Sequence, residues 1–298
     1  MRILVTGVTG QVGAAVAARF GQLGTVVAAD RSVLNLAAPD LLADKLDRIA
    51  PDIIINPAAY TAVDRAEDER DAAFVINEAS PGVMAKWAAA HDVPMIHFST
   101  DYVFDGSGKR PWREDDPTAP INIYGASKRA GEVAVRAGGG PHLIVRTSWV
   151  YAAHGKNFFR SIARLSRERE ELRVVADQIG APTSAAFIAD ALAYIVEPNK
   201  ADLPAAFSAA NGTIHLAGSG ATSWCGFAEE IVKGLKRRGE CVMTNRVISI
   251  TTRDFGAKAA RPLNSRLDLS RLSKVFNIVP KPWDELLDAE LDRLEAAP

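Results

Sequence analysis

The chain has little cysteine, no long apolar run and almost no net charge. Its 298 residues include two cysteines, Cys225 and Cys241, neither in a CxxC pair nor at a spacing that suits zinc. That excludes a disulfide framework and points to a reducing compartment, so a cytoplasmic location is expected. No apolar run reaches the ~20 residues that span a bilayer, so no membrane partner is expected. The opening MRILVTG reads as a strand entering a glycine turn, not as a signal peptide. A formal net charge of −1 gives no field that would favour nucleic acid. Any phosphate must therefore be held locally, by backbone amides and a few side chains. Internal repeats and low-complexity tracts are also missing.

What is present is ordinary globular material, with 48% apolar and 24% charged residues. At roughly 100–200 residues per domain, the length allows one large domain or two unequal ones. In the first half, short Ile- and Val-rich runs at Arg2–Thr6, Thr25–Ala29, Asp52–Asn56, Pro94–Ser99 and His142–Thr147 read as strands. Helical patterns near Gln11–Gln22, Pro39–Ile49, Arg70–His91 and Ile123–Ala137 lie between them. This alternation predicts an α/β fold, a doubly wound parallel sheet of the Rossmann kind. Pro81 predicts a kink in the third helix. After Val150 the pattern becomes mostly helical, near Asn157–Glu168, Ser184–Val196, Ser223–Arg238 and Trp283–Leu294. Short strands are expected at Arg173–Val175 and Ile214–Leu216. The expected division is a core over 1–150 and a smaller lobe over 151–298 that returns some segments to the core.

The segment LVTGVTGQVGAAVA sets Gly7, Gly10 and Gly13 between the first strand and the first helix. Gly7 permits a tight turn, Gly10 lets backbone approach a diphosphate, and Gly13 lets the helix pack close to the sheet. The spacing is GxxGxxG, and its position after the first strand points to a dinucleotide site. Asp30 ends the second strand, where a carboxylate can accept hydrogen bonds from ribose hydroxyls and favour NADH. Arg31 follows at once and could pair with a 2′-phosphate, which favours NADPH. The two signals conflict, so the cofactor is NADPH or NADH.

Tyr124 and Lys128 form a YxxxK that a helix places on one face. The ammonium is expected to lower the phenol's pKa and hold the nicotinamide ribose. The phenol then exchanges a proton with a carbonyl oxygen. Thr100 sits at the C-terminal end of the fourth strand, where doubly wound sheets open their crevice, and its hydroxyl could bind the same oxygen. Together these residues describe a reductase site.

At these residues the sequence resembles the extended short-chain dehydrogenases, and within them the dTDP-4-dehydrorhamnose reductases. The motifs VTGVTGQVG, NPAAYTAVDRAE, STDYVFDG, YGASK, RTSWVY, DQIGAPT and RPLNSRLD run in family order almost end to end. The resemblance implies reduction of the C4 keto group of dTDP-4-dehydro-L-rhamnose. It implies Thr100, Tyr124 and Lys128 as the catalytic trio and Gly10, Gln11 and Val12 at the diphosphate. It places Asp30 at the adenosine ribose and Ala58, Ala59, Tyr60 and Thr61 along the cofactor cleft. Asp101, Tyr102 and Trp149 fall near the substrate sugar, and Gln178, Pro182 and Thr183 shape the lobe that holds the nucleotide. Two positions depart. Asn35 stands where many members carry an aspartate near the adenine, and Ala15 stands where some place an acidic residue at a metal-linked subunit contact, so no metal is expected. A homodimer is compatible with the resemblance, but no heptad or strand edge in the sequence fixes an assembly.

Three alternative functions share parts of this pattern. A 4,6-dehydratase needs an Asp–Glu pair after the threonine, and here the pair is Asp101–Tyr102, which disfavours it. A 4-epimerase, or a reductase of another nucleotide sugar, uses the same hydride step. A non-catalytic dinucleotide-binding subunit, like the regulatory subunit of methionine adenosyltransferase, would not need an intact trio.

Overall fold

The five Ile- and Val-rich runs form strands β1 (Arg2–Thr6), β2 (Thr25–Ala29), β3 (Ile53–Asn56), β4 (Met95–Thr100) and β5 (His142–Thr147). The structure, a computed structural model, describes residues 1–295. All pairings in the main sheet are parallel, in the order β2–β1–β3–β4–β5, and Thr213–His215 adds a sixth strand beside β5. Strands β3, β4 and β5 are buried almost throughout. They read as apolar runs because helices cover both faces of a parallel sheet. On one face, α1 (Gln11–Phe20) and the helix Ala185–Asn199 pack through Val16, Phe20, Ile188 and Leu192. On the other, α2 (Leu42–Ile49) and the helix Ser80–Ala90 pack through Leu42, Leu46, Met84 and Trp87.

The strand expected at Ile214–Leu216 forms at Thr213–His215 and joins the main sheet, paired with β5. A short apolar strand does not encode its own partner, so its place was not legible locally. The kink expected at Pro81 is taken up one turn earlier. The helix runs as Arg70–Phe74, a π-turn over Val75–Ala79, and Ser80–Ala90. Pro81 has no N–H for the carbonyl four residues before it, and the preceding turn widens.

The smaller lobe has its own core, in which Phe159, Phe227, Ile231 and Leu287 join the helices Phe158–Glu168, Trp224–Arg237 and Trp283–Glu295. Beside them Glu171–Val175 pairs in parallel with Arg246–Ile250, a strand that the sequence pattern did not announce.

The sheet turns polar toward its C-terminal ends. Thr6 Oγ1 donates to Asn56 Oδ1 at 2.5 Å, and Asn56 Nδ2 lies 3.1 Å from His97 Nδ1. Burial holds His97 well below its usual pKa, so its neutral ring accepts that hydrogen. This polar bridge ties β1, β3 and β4 together just under the point where strand order reverses. Open α/β sheets form their crevice at such a point.

Candidate active site

One cleft of about 970 Å³ opens there, lined at one end by the glycine turn and at the other by Trp149 and Trp224. Every residue given a cofactor, catalytic or substrate role in the sequence borders it: Gly7, Gly10, Gln11, Val12, Asp30, Arg31, Asn35, Ala58, Ala59, Tyr60, Thr61, Thr100, Asp101, Tyr102, Tyr124, Lys128 and Trp149. Gln178, Pro182 and Thr183 do not line it.

The glycine turn is built for close approach. Gly7 has φ +61°, and a Cβ there would sit 2.8 Å from Ala58 Cα. A Cβ on Gly13 would sit 2.2 Å from the Gly7 carbonyl oxygen. Gly10 caps α1 with no side-chain hydrogen bond, so the first amides of that helix remain available to a ligand. Such a cradle fits a dinucleotide diphosphate, which a helix N-terminus attracts. Arg31 and Lys156 add positive charge to the same wall. Asn157 Nδ2 donates to Gln11 Oε1 at 2.8 Å and ties the turn to the smaller lobe.

Asp30 is ionised and locally braced. Its Oδ1 accepts from Ser32 N at 2.8 Å, Ser32 Oγ at 2.6 Å and Val33 N at 3.2 Å, and the Ser32 bonds lower its pKa. Asn35 is similarly occupied, its Oδ1 accepting from Ala37 N at 3.0 Å.

The loop after β3 is fixed by a residue that the sequence did not single out. Asn77, in the π-turn, accepts from Tyr60 N at 2.8 Å and donates to Tyr60 O at 3.1 Å. It also donates to Ser127 Oγ at 2.9 Å, which joins that loop to the helix Ile123–Ala137. A π-turn at a functional junction turns an inward side chain to such use. The Tyr60 phenol donates to Glu69 Oε2 at 2.6 Å, and both residues line the cleft.

The helix Ile123–Ala137 carries Tyr124 and Lys128. Asn122 caps it by accepting from Gly125 N at 2.7 Å. A Cβ on Gly125 would sit 2.1 Å from the Tyr102 carbonyl oxygen, so this glycine lets the helix start hard against the strand end. The result brings Tyr124 edge-on to Tyr102, ring centroids 5.5 Å apart. Lys128 is buried, and its Nζ donates to Phe98 O at 2.6 Å. Burial pulls its pKa down to about 8. Tyr124 moves the opposite way from the expectation. Its phenol is raised, chiefly by burial, with the Asp101 and Tyr102 charges adding to it and the Thr100 hydroxyl bond opposing. The Lys128 ammonium gives one of its three hydrogens to the Phe98 carbonyl and is not what moves the phenol.

Trp149 closes the far end. It holds φ +49°, a strained backbone for a bulky residue, and its indole stacks on Trp224 at 3.7 Å between centroids. Gln178 Oε1 accepts from Trp224 Nε1 at 3.1 Å, and Thr183 N donates to Trp149 O at 3.1 Å, so both brace the pair from behind. A Cβ on Gly180 would lie 2.6 Å from the Trp149 ring. Gly180→Ala is therefore expected to break the stack and to cost ~1–3 kcal/mol of overpacking strain. Near-ultraviolet circular dichroism and urea unfolding measure both, and an unchanged spectrum would contradict it.

The family model described as the RmlD substrate binding domain matches residues 1–296. A dTDP-4-dehydrorhamnose reductase of Burkholderia thailandensis is 43% identical over 285 residues, 95% of each chain. The chain belongs to the dTDP-4-dehydrorhamnose reductase family. The Escherichia coli K12 reductase is 40% identical, over 95% of this chain and 94% of its own. A solved dTDP-4-dehydrorhamnose reductase of Clostridium acetobutylicum superposes with a TM-score of 0.90 at 32% identity, over 99% of this chain and 100% of that one. The reductase of Bacillus anthracis, solved in complex with NADP, gives 0.87 at 34%, over 98% and 99%. A UDP-galactose 4-epimerase, 19% identical with a TM-score of 0.77, shares the fold alone.

Proposed function

We propose that this reductase-family chain converts dTDP-4-dehydro-L-rhamnose to dTDP-L-rhamnose, with NADPH or NADH as the reductant. The observation that carries the assignment is the single cleft that joins a diphosphate cradle to Thr100, Tyr124 and Lys128. Gly10, Gln11 and Val12 would hold the diphosphate, Asp30, Arg31 and Asn35 the adenosine end, and Lys128 the nicotinamide ribose. Ala58 to Thr61 would line the path between. The cofactor, when bound, supplies the hydride that the sugar C4 takes up.

Tyr124 gives its proton to O4. A raised pKa keeps the phenol protonated at neutral pH, as a donor in a reduction must be. Tyr102 and Trp149 bound the sugar, with Trp149 offering a flat apolar face. The cytoplasm is the compartment we assign, because reduced nicotinamides and nucleotide sugars are made there.

Lys128 sets an alkaline limit. With its pKa at about 8, the ammonium is charged below that pH and neutral above it. kcat/KM is expected to fall as pH rises through this value. A pH–rate profile checks it, and a kcat/KM that is level through that range would contradict the role of Lys128.

The test of the function is steady cofactor oxidation with dTDP-4-dehydro-L-rhamnose, one dTDP-L-rhamnose formed for each cofactor consumed. A 4-epimerase would interconvert sugars with no net oxidation, and that outcome would overturn the assignment. The uridine-linked 4-keto sugar, run in parallel, reports on the base.

A further inference from the structure

The one hydrogen of Thr100 is committed. A threonine hydroxyl has one hydrogen and two acceptor lone pairs. Thr100 Oγ1 donates to Asp101 Oδ1 at 3.0 Å and accepts from Tyr102 N at 3.2 Å. In this arrangement the threonine hydrogen points into the protein. A ketone oxygen entering the cleft would not find that donor free.

Asp101 sets that polarity. Its side chain is buried beside the cleft, with 3% of its surface exposed. Oδ2 has no hydrogen-bond partner of good geometry, although the Ser265 hydroxyl is near enough to favour the charged form. No ion pair among the described residues includes it. The groups that face it are Thr100 and Tyr102 on its own segment, Tyr124 from the helix Ile123–Ala137 and Ser265 from the C-terminal segment. Arg261 lies beyond Tyr102, where Asp64 pairs with it. Burial without a cation disfavours the carboxylate and raises its pKa to about 6.

We propose that the ketone-binding form of the site carries a proton on Asp101, which turns the Thr100 hydroxyl toward the ketone oxygen. This rests on the reduction assigned above. With Asp101 protonated, its O–H donates to Thr100 Oγ1. Thr100 still accepts from Tyr102 N, so both lone pairs are filled. Its own hydrogen is released to the ketone. The site then offers the Thr100 hydrogen that the ionised form withholds. Negative charge grows on O4 during hydride transfer, and a carboxylate one hydroxyl away opposes it, whereas a neutral acid does not. Asp101 is thus a positioning residue, acting on substrate through Thr100.

The experiment has two readouts, one of them independent of turnover. Calorimetry of dTDP-4-dehydro-L-rhamnose binding to cofactor-free protein, in buffers of different ionisation enthalpy, counts protons. Above the Asp101 titration, wild type is expected to take up close to one proton per sugar bound and Asp101→Asn none. In the pH–rate profile, wild-type kcat/KM, which reports the free enzyme, is expected to fall with rising pH through that titration, by at most about tenfold per pH unit, the limit for one proton. Asp101→Asn, whose amide donates to Thr100 at every pH, loses this limb and keeps the one from Lys128. If the variant does not fold, proton uptake by wild type decides alone. A wild type that reduces the sugar with no proton uptake overturns the Asp101 assignment only. So does an Asn variant that keeps both signals. A wild type that does not reduce the sugar overturns the function and this inference together.

Discussion

Replacing Tyr124 by Phe is expected to lower kcat by about 10²–10⁴-fold, the usual loss when a positioned general acid is removed. The ring itself should stay in place. Tyr124 meets Tyr102 edge-on at 5.5 Å between centroids, and a phenyl ring keeps that contact. What disappears is one hydroxyl. Cofactor affinity, set by the glycine turn and Lys128, should change little, and so should the unfolding midpoint. The expected signature is therefore a drop in kcat at nearly constant cofactor Kd, read in single-turnover mixing of enzyme, reduced cofactor and 4-keto sugar. Near-normal turnover in the Phe variant would remove Tyr124 as the proton donor and shift attention to Thr100.

Arg146→Met is expected to be the most destabilising single change, at ~3–5 kcal/mol, the usual cost of stranding one partner of a buried ion pair. Arg146 on β5 and Glu132 on the helix Ile123–Ala137 are 3% and 0% exposed and meet through two bonds of 2.7 Å. The pair clamps the helix that carries Tyr124 and Lys128 to the sheet. Arg146 also donates to Glu114 O at 3.0 Å and lies 5.1 Å over the Phe104 ring, so its loss frees several groups at once. Urea unfolding measures the effect. Adding Glu132→Leu to Arg146→Met should recover most of it, because the uncompensated carboxylate goes too. A single variant as stable as wild type would mean that water reaches Glu132.

These two residues mark where sequence legibility ends. Tyr124 was visible because its chemistry is local: YxxxK on a helix, after a glycine turn and a threonine at a strand end. The five strands were visible because burial on both faces makes each an apolar run. Arg146 and Glu132 read as two ordinary charges, since only the tertiary fold brings β5 against that helix. Asn77 was hidden for the same reason, its partners Tyr60 and Ser127 lying 17 and 50 residues away. Trp224 carried no signal until its indole lay flat on Trp149. The sixth strand, Thr213–His215, could not be assigned to a sheet without its partner. The expected influence of Lys128 on Tyr124 failed on geometry that spacing cannot show. The i, i+4 relation sets both on one face, but the ammonium turns to the Phe98 carbonyl and burial dominates the phenol. Asp101, legible as a site residue, revealed its hold on Thr100 only through the direction of one hydrogen bond.

The most direct measurement is the fate of a labelled hydride. Reduced cofactor carrying deuterium at the transferred nicotinamide position is incubated with the enzyme and dTDP-4-dehydro-L-rhamnose, and the sugar product is examined by mass spectrometry and proton resonance. A single reductive transfer within this cleft predicts dTDP-L-rhamnose with deuterium at C4, in equal amount to the cofactor oxidised. Product without deuterium at C4, or cofactor left reduced while folded enzyme binds both ligands, would contradict it.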